Sequence, residues 1–211
     1  YMRESRVTGQ NIVLRQMERT DTENIVKWRN NGRVRSHFIY RETFTPQGHE
    51  KWIESMVETG KVVQFIICEK ESMRPVGSVY FRDIDREKGE AEYGIFIGED
   101  DAAGKGYGTE TARLAAGYAF GEMGLDRLVL RVFTDNEAAV RSYERVGFAK
   151  REVLRAVEYS DGEKKDMFFM SLERAEWEKN SRGRGCPGVG EAGGEGGQKV
   201  SFVIPCYRSE A

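Results

Sequence analysis

Cysteine is scarce in this chain. Cys68, Cys186 and Cys206 form an odd, widely spaced set. Such a set builds neither a disulfide framework nor a metal-ligand pattern, and it suits a reducing cytoplasm. Histidine is scarcer still: His37 and His49 are too few and too far apart for a metal site. No apolar run approaches the roughly 18 residues needed to span a bilayer, and the N-terminal residues lack the apolar core of a signal peptide. Neither sign of charge is in excess, with 33 basic against 35 acidic side chains and a net charge of −2. That balance argues against a dedicated nucleic-acid binder. Proline is rare at 4 residues, whereas glycine is abundant at 24. At 211 residues and 39% hydrophobic, the chain can bury the core of one ordinary domain with a remainder.

The glycines mark where it divides. Residues 1–180 carry dense globular patterning, whereas 181–198 hold eight glycines among Ser, Glu and Arg and show no apolar periodicity. That stretch reads as a flexible linker. Residues 199–211 then open with Lys199-Val200-Ser201-Phe202-Val203-Ile204-Pro205, a β-prone run with no partner after it. A lone strand is no domain. The run either docks back onto the first domain or, as we favour, begins a truncated second one.

Within 1–180 the elements alternate. Strands are predicted over 11–17, 62–69, 76–84, 90–98, 127–134, 148–159 and 164–172. Helices are predicted from Thr20, where Thr20 and Glu23 suggest a capping box, and from Thr45-Pro46, an N-cap followed by proline at the first helical position. Two more are predicted over 106–123 and 136–146. Asp161-Gly162 reads as a hairpin turn. The expectation is an α/β fold, with a mixed central sheet of about seven strands and about four helices.

Between a strand and the long helix lies Ala103-Gly104-Lys105-Gly106-Tyr107-Gly108-Thr109. Successive glycines let backbone N–H groups converge at a helix N-terminus, an anion site suited to a pyrophosphate. A glycine-rich turn serving chain geometry alone is the other reading. No Walker sequence follows, and the loop sits too late in the strand order for a Rossmann fingerprint. Lys105 is either a phosphate contact or a solvated loop lysine. Downstream, Asn136 opens a helix, Tyr143 follows seven residues later, and Gly147-Phe148 returns the chain to a strand.

The glycine loop and the Asn136–Tyr143–Gly147 arrangement together resemble the GNAT superfamily of acyl-CoA-dependent N-acetyltransferases, over roughly residues 10–173. The family's phosphate loop maps onto Ala103 to Gly108, with Ala103 standing where Gln or Arg is usual. The resemblance implies acetyl-CoA as co-substrate, bound by the backbone of 103–109, with Asn136 on the pantetheine arm. It also implies that the fourth and fifth predicted strands splay, with Phe96 and Ile97 supplying backbone donors to the carbonyl oxygen.

Acetyl transfer to an amine needs a base, because an alkylammonium with a pKa of about 10.4 is almost wholly protonated at neutral pH. Glu92 is the preferred base, with Glu90 on the same strand face as its competitor. Tyr143 is the candidate acid for the departing thiolate. The non-catalytic alternatives are a strand carboxylate facing solvent and a tyrosine packed on the sheet.

For the acceptor, Trp28-Arg29-Asn30, Val34-Arg35 and the segment from Thr45 to Ile53 resemble acetyltransferases of nucleotide-linked amino sugars. They are also similar to ribosomal-protein alanine N-acetyltransferases. The 199–207 run resembles the first strand of family-2 glycosyltransferases, implying a fused or neighbouring glycosyltransferase and an amino-sugar acceptor in surface-glycan synthesis. A protein N-terminus, a small amine, or a non-catalytic acyl-CoA-binding module remain the alternatives. A homodimer is compatible with all of these.

Overall fold

The computed structural model describes residues 6–182. The glycine-rich stretch from 183 and the 199–211 run, with both readings of the latter, lie outside the described residues. Eight strands form one sheet: β1 (Arg6–Thr8), β2 (Ile12–Gln16), β3 (Val63–Glu69), β4 (Pro75–Asp85), β5 (Glu90–Ile97), β6 (Arg127–Phe133), β7 (Ala149–Glu158) and β8 (Lys164–Glu173). Their spatial order is β1-β2-β3-β4-β5-β6-β8-β7. The pairing is antiparallel except between β5 and β6. A parallel pair needs a crossover, and helix α4 (Tyr107–Gly121) supplies it.

The other helices are α1 (Thr22–Asn30), α2 (Gly32–Arg35), α3 (Pro46–Trp52), α5 (Glu137–Val146) and α6 (Arg174–Arg182). The mixed α/β fold is as expected, with one more strand and two more helices. The three-residue β1 is too short to carry periodicity. Helix α2 is a single turn capped by the Asn31 side chain on Arg33 N. Helix α6 follows β8 without a break and packs Trp177 on Phe120, ring centroids 5.6 Å apart.

Local chemistry sets several boundaries. Thr45 Oγ1 accepts from Gly48 N at 3.1 Å with Pro46 at the first helical position, so α3 starts where the sequence places it. The Thr20–Glu23 box does not form. Glu18 and Asp21 make that reciprocal pair instead, around a short 3-10 turn, because Asp21 is buried and gripped by both terminal nitrogens of Arg15.

The sheet buries both faces. On one, Leu14, Phe65, Val79, Phe81 and Leu130 pack against α4, whose Ala112, Ala115, Ala116 and Ala119 allow close approach. On the other, Ile66, Cys68 and Phe96 meet Trp28 and Ile25 of α1 and Val34 of α2. Burying Trp28 alone stabilises the fold by about 3–5 kcal/mol relative to alanine. Among the described residues, no helix is long and apolar enough to cross a membrane.

Candidate active site

The parallel pairing of β5 with β6 ends early. Glu90, Ala91 and Glu92 register with Arg127, Leu128 and Val129, and beyond that the strands part. A cleft of about 710 Å³ passes through the gap, lined from both faces of the sheet. Gly98 donates its N–H to Val76 O at 2.7 Å, on the β4 side. Strand alternation turns the N–H of Phe96 the same way and those of Ile97, Ile95 and Tyr93 into the gap. Ile97 therefore offers an amide to the cleft. Phe96 instead contributes its ring, edge-on to Trp28 and Phe38 at 6.3 and 5.7 Å.

At one mouth of the cleft sit Ala103, Gly104, Gly106, Gly108 and Thr109. Gly104 and Gly106 have φ of +78° and +84°, a left-handed conformation that disfavours side chains. A Cβ on either would meet no atom within 4 Å, so the space over the loop is open. None of the backbone N–H groups from Gly104 to Thr109 has an acceptor among the described residues. Converging, unsatisfied amides at the start of a 15-residue helix form the cradle that phosphate oxygens need. Lys105 and Tyr107 turn their side chains away. Both reach Glu69, at 3.6 and 3.3 Å, so their part in an anion site is confined to the backbone. Thr109 Oγ1 pairs with Ser142 Oγ at 2.7 Å, tying the loop to α5.

Asn136 caps α5, its Oδ1 accepting from Ala139 N at 3.3 Å, and the residue also lines the cleft. One residue thus starts the helix and lines the cleft. Tyr143 reaches the cleft from the same helix, held edge-on to Tyr93 at 6.1 Å and against Phe148 at 5.8 Å. Burial, and then the nearby Tyr80, push its phenol above the usual tyrosine range, so it stays a proton donor at neutral pH.

On the opposite sheet face lies an ion-paired row. Arg82 of β4, Glu92 of β5 and Arg131 of β6 stand side by side, with Arg82 and Glu92 directly in register. Glu92 Oε1 accepts from Arg82 Nη2 at 2.9 Å and from Arg131 Nε and Nη2 at 3.3 and 3.1 Å. Its Oε2 accepts from Arg131 Nη2 at 2.9 Å, leaving lone-pair capacity on that oxygen. Glu90 is elsewhere, paired with Arg127 at 3.0 Å and outside the cleft lining.

Tyr80, Arg82 and Arg131 complete the site but were not among the sequence candidates. The signals were there: Tyr80 and Arg82 share a face of β4 by alternation, and Arg131 is a lone charge inside the apolar run Leu128–Phe133. Of the acceptor-side candidates, Arg29, Val34, His49 and Trp52 line the cleft, joined by Arg33, whereas Arg35 does not. Trp28 is core. Asn30 exchanges two 2.8 Å hydrogen bonds with the backbone of Phe44 and so fixes the loop over the cleft.

A phosphate cradle continuous with a gap between splayed parallel strands points to an acyl-CoA enzyme, and comparison with known proteins decides it. A model of the acetyltransferase (GNAT) domain matches residues 11–149. The chain belongs to this family. It is an acyl-CoA-dependent N-acetyltransferase with acetyl-CoA as co-substrate. An uncharacterized N-acetyltransferase, p20, of Bacillus licheniformis is 26% identical over 170 residues, spanning 79% of this chain and 94% of its own. A spermidine N(1)-acetyltransferase of Escherichia coli K12 is 27% identical, over 78% of this chain and 87% of its own. Among solved structures, spermidine N-acetyltransferase from Vibrio cholerae, in complex with CoA and spermine, superposes with a TM-score of 0.74. Its sequence identity is 23%, over 80% of this chain and 99% of that one.

Proposed function

We propose that the chain acetylates the amino group of a small molecule, using Glu92 as base and Tyr143 as acid. The observation that carries this reading is the through-sheet cleft. It joins the amides of 104–109 to a chamber where Glu92 lies on one sheet face and Tyr143 reaches in from the other. The amides and Asn136 would hold the pyrophosphate and the pantetheine arm. The N–H of Ile97, unpaired in the gap, would stabilise the oxyanion as the amine attacks the thioester carbonyl. Oε2 of Glu92 would take the ammonium proton, through a bridging water where the amine stands off. Tyr143 would protonate the departing thiolate, whose pKa is near 8.5 as for cysteine.

Relatives that act on spermidine favour a small-amine acceptor over the nucleotide-linked amino sugar of the sequence reading. The test is calorimetric titration with acetyl-CoA. The parent chain is expected to bind it, and Gly106→Trp, which fills the open space over the loop, to lose binding while keeping its circular dichroism. A folded parent that does not bind acetyl-CoA overturns the reading.

A further inference from the structure

The acceptor chamber carries the wrong charge for a polyamine. Among the described residues, six arginines line the cleft and Glu92 is its one carboxylate. Of the six, Arg145 stands on α5 with Tyr143, away from the Glu92 face, and has no ion-pair partner among the described residues. Arg33 and Arg141 are neutralised by Asp100 and Glu137, each at 2.8–2.9 Å. Arg82 and Arg131 share the charge of Glu92, and Arg82 also reaches the exposed Asp83 at 3.7 Å. Arg29 shares nothing: among the described residues, no carboxylate pairs with its guanidinium and no hydrogen-bond acceptor reaches it. It lies instead over the ring of Phe38, 3.5 Å from the centroid, with Phe44 at 5.3 Å. The Asn30–Phe44 hydrogen bonds hold that aromatic lining in place. A guanidinium lying against a ring keeps its edge N–H groups available, and a planar fork suits a carboxylate or phosphate.

Within the chamber, Arg29, Arg82 and Arg131 face Glu92, with Asp83 3.7 Å from Arg82, and the charge of Arg29 is left uncompensated. Burial pushes the Arg29 pKa down; the nearby Tyr80 opposes this in part, and Arg82 adds a smaller repulsion. That cost is relieved when an anion enters. A polycation would add to it.

We infer that the acceptor is a small amine whose own skeleton carries a carboxylate or a phosphate, and that Arg29 grips this anion while the amine is presented to Glu92. The inference rests on the acetyltransferase reading above and names the acceptor class for the same site. It sets this chain apart from relatives that act on spermidine, whose backbone similarity does not carry over the charge of the chamber.

Matched acceptors test it. With CoA bound, the full chain is titrated with O-phosphoethanolamine against ethanolamine, with phenylalanine against phenethylamine, and with spermidine. At least one anionic member is expected to bind ten-fold or more tightly than its uncharged-tail partner, and the favoured pair tells phosphate from carboxylate. Arg29→Met should abolish that preference and leave acetyl-CoA affinity within two-fold. Arg29→Lys should restore part of it, since the charge returns without the fork. Where transfer is followed, Arg29→Met should raise KM for the anionic acceptor far more than it lowers kcat. Equal binding within both pairs, tighter binding of spermidine, or an unchanged preference in Arg29→Met overturns the inference. The wild-type comparison needs no variant to fold. Failure of the acetyltransferase reading shows separately, as a parent chain that does not bind acetyl-CoA.

Discussion

The ring of Tyr80 occupies the space that a Cβ on Gly94 would need. Three atoms of the Tyr80 ring and hydroxyl fall inside contact distance of that position. The two residues are in register across β4 and β5. Gly94 thus lets a tyrosine lie flat on the sheet beside Glu92 and Arg131, where the cleft crosses from one face to the other. Burial pushes the Tyr80 phenol up, so it too remains a neutral donor.

Gly94→Ala should therefore destabilise the fold by about 1–3 kcal/mol through overpacking. In a Tyr80→Ala background, the same change should cost less than about 0.5 kcal/mol, since the clashing ring is gone. Urea denaturation of the four proteins checks this. Equal costs in both backgrounds would remove the steric account.

Glu92→Gln keeps the shape of the side chain and removes the proton acceptor. A loss in kcat of about 10²-fold or more is expected, as for a general base. Acetyl-CoA affinity should stay within two-fold, because Glu92 is on the face away from the glycine loop. A wild-type kcat in this variant takes the base role away from Glu92.

Tyr143→Phe keeps the ring packed on Tyr93 and Phe148 and deletes the hydroxyl. Turnover should fall by about ten-fold or more with little change in acetyl-CoA affinity. Pre-steady-state release of CoA thiol reads the step directly. Loss of affinity without loss of rate would make Tyr143 a cofactor contact.

His49 predicts a pH dependence. It is 1% exposed, Nδ1 pairs with Thr22 Oγ1 at 3.0 Å, and buried Nε2 has no partner among the described residues. Burial pushes its pKa down to about 4, against a weaker opposing pull from Asp21. Unfolded histidine titrates near pH 6.5, so between the two values the unfolded chain binds the extra proton. This contribution is complete above about pH 6.5 and is lost as pH falls toward 4, by up to about 3 kcal/mol. Denaturation at pH 7 and pH 4.5 should show a smaller loss for His49→Gln than for the parent. Equal losses would place the acid sensitivity elsewhere.

The element order, the helix caps at Thr45 and Asn136 and the glycine loop were legible because each rests on near neighbours. Proline at a first helical turn, glycine at positive φ and an asparagine three residues before an amide are local chemistry. Lys105 and Tyr107 were only half legible: the loop could be read, but Glu69 draws both side chains off it from 36 and 38 positions away. Helix α6 was missed because its packing on Phe120 depends on where β8 ends.

By itself, then, the sequence determined an α/β acetyltransferase fold with a glycine loop at the start of its long helix, and it named Glu92 and Tyr143 as candidates. Only the tertiary structure decided that β5 and β6 part after Glu92. It also brought Arg82, Glu92 and Arg131 from three strands into one ion-paired row and left Arg29 uncompensated above them. The reason is physical. Backbone preference is set within a few residues, whereas the charge of a chamber is a sum over side chains that become neighbours when the sheet and its covering helices pack together.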